Sequence, residues 1–311
     1  MQLKALRYFL MVASTGSFLA TARHFQVPAS SVSRFIAALE KELGRQLLYR
    51  STRAVSLTEE GERFSVQARE AVELLDQAAD DIGGAGGDIR GLVRINAPEA
   101  FGRLHVGPAV QALQQRFPGL IVELTLTDTF VDPVQEGADI IVRIGALLDS
   151  SLIGRVVGMH QQRLVASPRY LAEQGTPSVP EDLLRHHCLV YKGQLGAQRW
   201  YFSRPGDGRA QTINVSGPLR SNNAEVLLDA ALHGQGIVLF PTWLLDAASV
   251  GRGELVPLLA DWQASAMAEQ VHIQLLSPQT RLRSRKVREV TAFLHEQLGA
   301  RPCWAAWQAL G

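Results

Sequence analysis

Residues 17–53 read SFLATARHFQVPASSVSRFIAALEKELGRQLLYRSTR. Two helix-spaced apolar patterns flank a break at Gln26-Val27-Pro28, and the second runs out into a basic segment carrying Arg50 and Arg53. Ser17 stands where a hydroxyl caps the first helix, whose inward face would be Phe18, Ala20, Ala22 and Phe25. After the break a helix is predicted over 29–43, with Val32, Phe35, Ile36 and Leu39 inward and Gly44 placed to end it. Its leading and outward residues, Ser30, Ser31, Ser33 and Arg34, are small or basic. Hydroxyls and a guanidinium on such a turn reach base edges and phosphates without steric blockage, which is what a DNA-reading helix needs. Two short strands, 47–50 and 54–57, follow with a turn at 51–53. A hairpin tipped by Arg50, Thr52 and Arg53 is the expected wing, laid on the phosphate backbone with an affinity that salt weakens.

Working outward, Leu3, Leu6, Phe9, Leu10 and Ala13 predict a preceding amphipathic helix that Gly16 ends. This amino terminus shows no small-residue cleavage pattern, so no secretory signal is expected. At 311 residues the chain is expected to form two or three domains, and 46% hydrophobic with 20% charged residues is an ordinary globular composition. No stretch approaches the roughly 18 apolar residues of a membrane span. Cys188 and Cys303 alone imply no disulfide framework, and a reducing cytoplasm is the expected compartment. Charge is uneven. Residues 1–58 hold eight Lys and Arg against Glu40 and Glu42, a net +6, and since the whole chain is +1 the remainder is −5. A basic head on a mildly acidic body favours a nucleic-acid module joined to something else; a merely solvated charged surface is the alternative.

The run from Leu3 to Glu62 resembles the winged helix-turn-helix of LysR-type transcriptional regulators. The resemblance is carried by GSF at 16–18, VSR at 32–34, LEKELG at 39–44 and the R-x-T-R-x-V-x-LTxxG run from Arg50 to Gly61. One departure is the start of the reading helix, Pro28-Ala29-Ser30, where the family usually has a polar cap, often followed by Gln. Pro is acceptable in a first turn, but losing the Gln removes a bidentate adenine reader, so base contact shifts to Ser30, Ser31 and Arg34.

Thr58 would cap a helix over 59–82, with Glu59 and Glu60 near its positive end. Its narrow stripe is Phe64, Ala68, Ala71, Leu75, Ala78 and Ile82. The resemblance implies that this stripe pairs with a second subunit, and two reading helices one DNA turn apart would then read a palindrome. Gly83-Gly84-Ala85-Gly86-Gly87 follows as a hinge over 83–90. Strands are then expected over 92–95, 121–127, 140–144, 152–157, 163–166, 189–191, 200–203, 212–215, 236–240 and 270–276. Helices are expected over 101–117, 131–137, 168–174, 224–233, 243–247 and 284–298. Such interleaving implies sheets covered on both faces. The phrases INAPEAFGR, DIIVRIG, LVASPRYL and GxGIVLFPTWL resemble the family's effector domain. The expected fold class is therefore α+β multidomain: a winged helix-turn-helix (1–58), a linker helix (59–82), and a periplasmic-binding-protein-like effector domain of two α/β subdomains, 91–161 with 267–300 and 162–266. The tail 301–311, with Trp304 and Trp307, lies outside the resemblance and is expected to pack or interact.

Ligands of open α/β sheets sit at strand carboxyl ends, often between domains. That places Pro98, Glu99, Ala100, Phe101, Thr129, Phe130, Arg143, Ser167, Tyr191, Asn222, Asn223 and Pro241 around an effector cleft. Glu99 would repel an anion and suit a hydroxylated or cationic ligand, or else merely cap its helix. Arg143 is an effector clamp or a structural partner of Asp139 or Asp128; Asn222 and Asn223 are ligands or helix caps. His186-His187-Cys188 lacks the spacing of a zinc site, so no metal is expected. With no G-x-S-x-G elbow, no Walker loop and no argued carboxylate pair, neither an enzyme nor a cofactor is expected. The expected function is effector-modulated, sequence-specific transcriptional regulation by a dimer or dimer of dimers on palindromic double-stranded DNA, with RNA polymerase as a further contact and no membrane. The alternatives are an effector-independent regulator with an occluded cleft, and a solute-binding protein or enzyme using it.

This division of labour predicts that Arg34→Ala weakens specific binding more than non-specific binding. Arg53→Ala should weaken both alike and flatten the salt slope of gel-shift affinity. Equal behaviour of the two variants would refute it.

Overall fold

The computed structural model describes residues 1–50, 55–83, 89–128, 137–146, 152–192, 199–204, 206, 210–245 and 252–299. The chain divides into two compact units, broadly Met1–Asp88 and the residues from Ile89 onward.

The first unit comprises α1 (Leu3–Thr15), α2 (Phe18–His24), α3 (Ala29–Leu43), β1 (Leu48–Arg50), β2 (Val55–Leu57) and α4 (Glu59–Gly83). Gly16 and Gly44 end α1 and α3 at φ +62° and +65°, a region that side chains with a Cβ rarely enter. Ser17 Oγ accepts the Ala20 N–H at 3.1 Å. The inward face of α2 differs from expectation: Ala20 is exposed and Thr21 is buried. The Thr21 hydroxyl donates to the Ser17 carbonyl at 2.9 Å, and this back-bond leaves no unsatisfied hydroxyl in the core. Phe9, Val12, Val32, Ile36 and Leu48 are fully buried around it.

The wing is wired to two helices. Glu40 Oε1 on α3 accepts the N–H groups of Leu47 and Leu48 at 3.0 and 3.2 Å. Thr58 Oγ1 donates to the Gln46 carbonyl at 2.8 Å and accepts the Gly61 N–H at 2.9 Å, capping α4. β1 and β2 pair antiparallel from Leu48↔Leu57 to Arg50↔Val55. Thr52 and Arg53 lie outside the described residues. On α4, Phe64 and Ala68, expected on a seam between subunits, pack into this unit's own core: the rings of Phe64 and Phe9 are 5.6 Å apart, and Ala68 is buried beside Val72. Ala71 and Leu75 are exposed, as is Leu74. The side chains of Ala78 and Ile82 lie outside the described ones.

From Ile89 the chain forms β3 (Gly91–Ala97), α5 (Glu99–Phe101), a π-turn (Gly102–Val106), α6 (Gly107–Arg116), β4 (Leu120–Leu126), β5 (Ile140–Gly145) and β6 (Leu152–Met159). It then passes into β7 (Gln162–Ala166), α7 (Pro168–Gln174), β8 (Val190–Tyr191), β9 (Arg199–Ser203), β10 (Ala210–Asn214), β11 (Arg220–Ser221), α8 (Ala224–Leu232), β12 (Val238–Pro241), β13 (Val256–Leu258) and β14 (Gln263–Ser265). It returns through β15 (His272–Pro278) and α9 (Arg285–Gly299). Three sheets result among the described residues: one ordered β4-β3-β5-β15-β6, one ordered β10-β9-β14-β7-β12 with β13 also on β7, and a parallel pair β8-β11. β3 runs parallel to β4 and β5, while β15 is antiparallel to β5 and β6. Helices α6 and α9 share a core with the first sheet through Val110, Leu113, Val290 and Leu294.

Three local expectations change. The helix expected over 101–117 begins at Glu99 and contains the π-turn. Residues 243–245 form a turn rather than the start of a helix, and 246–251 lie outside the described residues, as do 131–136 of the helix expected at 131–137. β11, β13 and β14 were not expected from sequence, being only two or three residues long.

Gly61 packs against the start of the wing: a Cβ there would stand 2.0 Å from the Leu47 carbonyl oxygen. Gly61→Ala should therefore destabilise the first unit by about 1–3 kcal/mol, the cost of overpacking, read as a lowered first thermal transition. An unchanged transition would show that the helix slides away freely.

Candidate DNA-binding surface and inter-subdomain cleft

Pro28, at φ −61°, precedes α3 and offers no side-chain cap. Helix α3 therefore opens with Ala29, Ser30 and Ser31. Ser30 and Arg34 are exposed; Ser31 and Ser33 are half-buried. The Arg34 guanidinium lies 5.8 Å from the centre of the Phe35 ring. The outward edge of the wing presents Tyr49, 61% exposed and paired with Ser56, which sequence reasoning passed over although strand alternation points it outward. Among the described residues, then, α3 and β1 carry a polar, aromatic and cationic surface over an apolar core.

The cleft expected in the second unit falls where the parallel strands β3, β4 and β5 end. Thr127 N–H bonds to the Ala97 carbonyl at 3.0 Å, so the two strand ends lie side by side. The next residue is decisive: Asp128 Oδ1 accepts the Glu99 N–H at 3.0 Å, and its Oδ2 accepts the Tyr191 hydroxyl at 3.2 Å. One carboxylate thus joins the start of α5 to β8 of the other subdomain. Burial, then the nearby Asp128 and Glu99 charges, push the Tyr191 phenol up to about 12, so it remains a donor. Arg103 of the π-turn forms an ion pair with Glu225 of α8 beside it.

The expected cleft residues separate into groups. Pro98, Glu99, Ala100 and Tyr191 lie at the bridge, with Ala100 and Tyr191 against the core of the second subdomain. Asn222 is exposed. Four others have structural work. Phe101 is fully buried in the first subdomain's core, because the helix turns it inward. Ser167 is buried and caps α7 by accepting the Tyr170 N–H at 3.5 Å. Asn223 caps α8 through the N–H groups of Glu225 and Val226 at 3.0 and 3.1 Å. Pro241 is buried in β12 opposite Gln162. Arg143 is half-buried on β5, opposite Gln274. Of its two expected partners, Asp139 accepts the Arg94 N–H at 2.8 Å with Arg281 at 3.6 Å, and Asp128 forms the bridge. Thr129 and Phe130 lie outside the described residues. Asp128 itself was considered only as an Arg143 partner; an acid directly after a strand that ends at a cleft was the available signal.

Behind the bridge lies Trp243. Its indole N–H donates to His160 Nδ1 at 3.1 Å, and its carbonyl accepts from His105 Nε2 at 2.9 Å. Its ring meets Phe101 edge-on, centroids 5.2 Å apart. An indole only donates and a carbonyl only accepts, so His160 Nδ1 is bare and His105 Nε2 carries a hydrogen. Burial keeps both rings neutral, lowering His160 to about 4 and His105 below its ordinary value. The possible metal cluster is occupied otherwise: the Tyr170 hydroxyl lies 3.1 Å from His186 Nδ1 and accepts the His187 N–H at 2.8 Å. Cys188 is fully buried, its thiol pushed up to about 12 by burial.

A winged helix-turn-helix joined to a two-subdomain ligand-type cleft defines a DNA-binding regulator with a sensing domain. The comparisons with known proteins agree. Residues 3–62 match the family model described as bacterial regulatory helix-turn-helix protein, lysR family, and residues 86–299 match the LysR substrate binding domain. The chain belongs to the LysR family of transcriptional regulators and is not an enzyme. It is 34% identical over 294 residues to the regulator DmlR of Escherichia coli strain K12, covering 94% of both chains. It is 34% identical over 304 residues to PtxR of Pseudomonas aeruginosa, covering 97% of this chain and 95% of that one. Among solved structures, CrgA of Neisseria meningitidis superposes with a TM-score of 0.60 at 28% identity, over 96% of this chain and 99% of that one. AphB of Vibrio cholerae, a virulence activator, superposes with 0.58 at 29%, over 94% and 98%. No helix among the described residues is long and apolar enough to cross a membrane.

The neutral His160 has a consequence for stability. Its folded pKa, about 4, lies below the ordinary 6.5, so between these values the unfolded chain binds the proton first. The stabilisation is complete above pH 6.5 and disappears as pH falls to 4, a loss of about 3 kcal/mol at most. In denaturant titrations the wild type should therefore lose up to this much stability relative to His160→Gln as pH falls through this window. Parallel curves would show that His160 does not titrate there.

Proposed function

We propose that the chain acts in the cytoplasm as a homodimer or dimer of dimers on a palindromic operator. Ser30, Ser31, Ser33 and Arg34 read bases, while Arg50, Thr52 and Arg53 hold phosphates. The exposed part of α4, around Ala71, Leu74 and Leu75, forms the seam between subunits, and 83–90 is the hinge between head and sensing domain. A small molecule enters among Glu99, Ala100, Tyr191, Asn222 and Arg143 and changes the angle between the subdomains. That angle alters the spacing of the heads and, through it, DNA bending and contact with RNA polymerase. An effector does this only by binding one arrangement better than the other.

The observation that carries this reading is the Asp128 bridge, a pair of exposed polar contacts linking the two subdomains where a ligand would enter. The same bridge favours a second reading, a regulator without an effector, because the chain's own carboxylate already satisfies the Glu99 amide. Calorimetry against pools of hydroxylated, cationic and anionic metabolites separates the two: heat from any pool supports the first, and none supports the second. For assembly, Leu74→Glu with Leu75→Glu should lower the sedimenting mass and weaken operator binding roughly 100-fold or more, since each head then binds without avidity. Unchanged mass would remove this seam. Absence of sequence-preferring, salt-weakened binding by the wild type would falsify the operator reading.

A further inference from the structure

We propose that Trp243 is the pivot on which the two α/β subdomains turn, and that His105 and His160 are positioning residues that hold it. This rests on the reading of the cleft as the sensing site and names the part that stays still when it moves. Among the described residues, Trp243 alone packs against both the core of the first sheet and the core around Leu227, Val238 and Phe240. It follows β12 in the second subdomain, yet its indole N–H and its carbonyl are bound from elsewhere. His105 belongs to the π-turn of the first subdomain; His160 lies on the segment crossing between β6 and β7.

The crossing strands are joined at this point. His160 N–H bonds to the Val271 carbonyl on the return segment, and Thr242 N–H bonds to the Gln161 carbonyl, both at 2.9 Å. The π-turn supplies the matching surface. Its extra residue per turn shifts the helix phase, so that Val106 enters the first core, Leu104 packs on the second, Arg103 reaches Glu225 and His105 reaches Trp243. Contact strength is graded along this interface. At Trp243 the two hydrogen bonds are part-buried; at the mouth Asp128, Arg103 and Glu225 are exposed, where ion pairs and hydrogen bonds contribute little. Any force separating the subdomains breaks the mouth first and turns them about Trp243.

The test is a pulsed-EPR distance between spin labels at Gln114→Cys on α6 and Ala172→Cys on α7, both exposed, in the full chain with Cys303→Ser; Cys188 is buried. The parent should show one narrow distance. Tyr191→Phe with Arg103→Gln, which removes both contacts at the mouth and leaves the pivot intact, should add a second discrete distance. Trp243→Phe and His160→Leu, which remove the bond at the pivot, should lose the narrow peak to a continuous spread. His160→Gln, which restores an acceptor for the indole, should recover the narrow peak. A narrow parental peak in both Trp243→Phe and His160→Leu overturns the proposal, as does a continuous spread in the Tyr191→Phe, Arg103→Gln variant. If Trp243→Phe does not fold, the His160 pair decides. Gel shifts on the same labelled parent test the regulator reading separately: lost operator binding with the expected distances would sink that reading and leave the pivot standing.

Discussion

A single indole N–H, held by an imidazole that must remain neutral, ties together the sensing half of this protein. Trp243 cannot reverse the direction of that hydrogen bond, because indole nitrogen only donates. His160 is buried deeply enough to stay uncharged at neutral pH, so its bare Nδ1 is always available. Both neighbouring polar groups of the segment, the Gln161 carbonyl and the His160 amide, are satisfied by chain from the other subdomain or the return crossing. The result is a joint whose bonds are part-buried, set against a mouth whose contacts are exposed.

The first unit obeys a similar logic with different chemistry. Its wing is only two three-residue strands, too small to be stable alone. Glu40 and Thr58 supply what the hairpin lacks, fixing its first strand to α3 and its exit to α4. Helix α3, β1 and the start of α4 are consequently held at one spacing.

Much of this was legible in the sequence, and the reason differs by residue. Gly16, Ser17, Gly44 and Thr58 announce helix ends because local backbone chemistry alone requires them, and each stands at the expected boundary. Short apolar runs such as 92–95 and 140–144 marked strands of the first sheet. Thr21 was missed because a buried hydroxyl becomes acceptable only through a bond to a carbonyl four residues back. Phe101 was placed in the cleft from its position after β3, whereas helix phase sends it into the core. The π-turn shifts that phase again for the residues after it, and nothing in residues 102–106 signals it. Asp128 with Tyr191, and His105 with His160 and Trp243, join positions 63 to 138 residues apart. Contacts of that separation depend on tertiary docking, so no local pattern encodes them.

The energetic contrast between joint and mouth also limits how such a protein can respond. A switch moved from almost wholly one arrangement to almost wholly the other needs about 5.5 kcal/mol of differential ligand affinity. The exposed Asp128–Tyr191 hydrogen bond and Arg103–Glu225 pair together contribute on the order of 1–2 kcal/mol, well within that range. Had the mouth been closed by buried contacts of the kind that hold Trp243, a small ligand could not open it. Had the joint been as exposed as the mouth, the two subdomains would separate without a defined path, and ligand binding would give the heads no particular new spacing. A sensing domain that converts modest binding energy into one specific displacement needs both: a weak closure at the rim and an axis that does not yield.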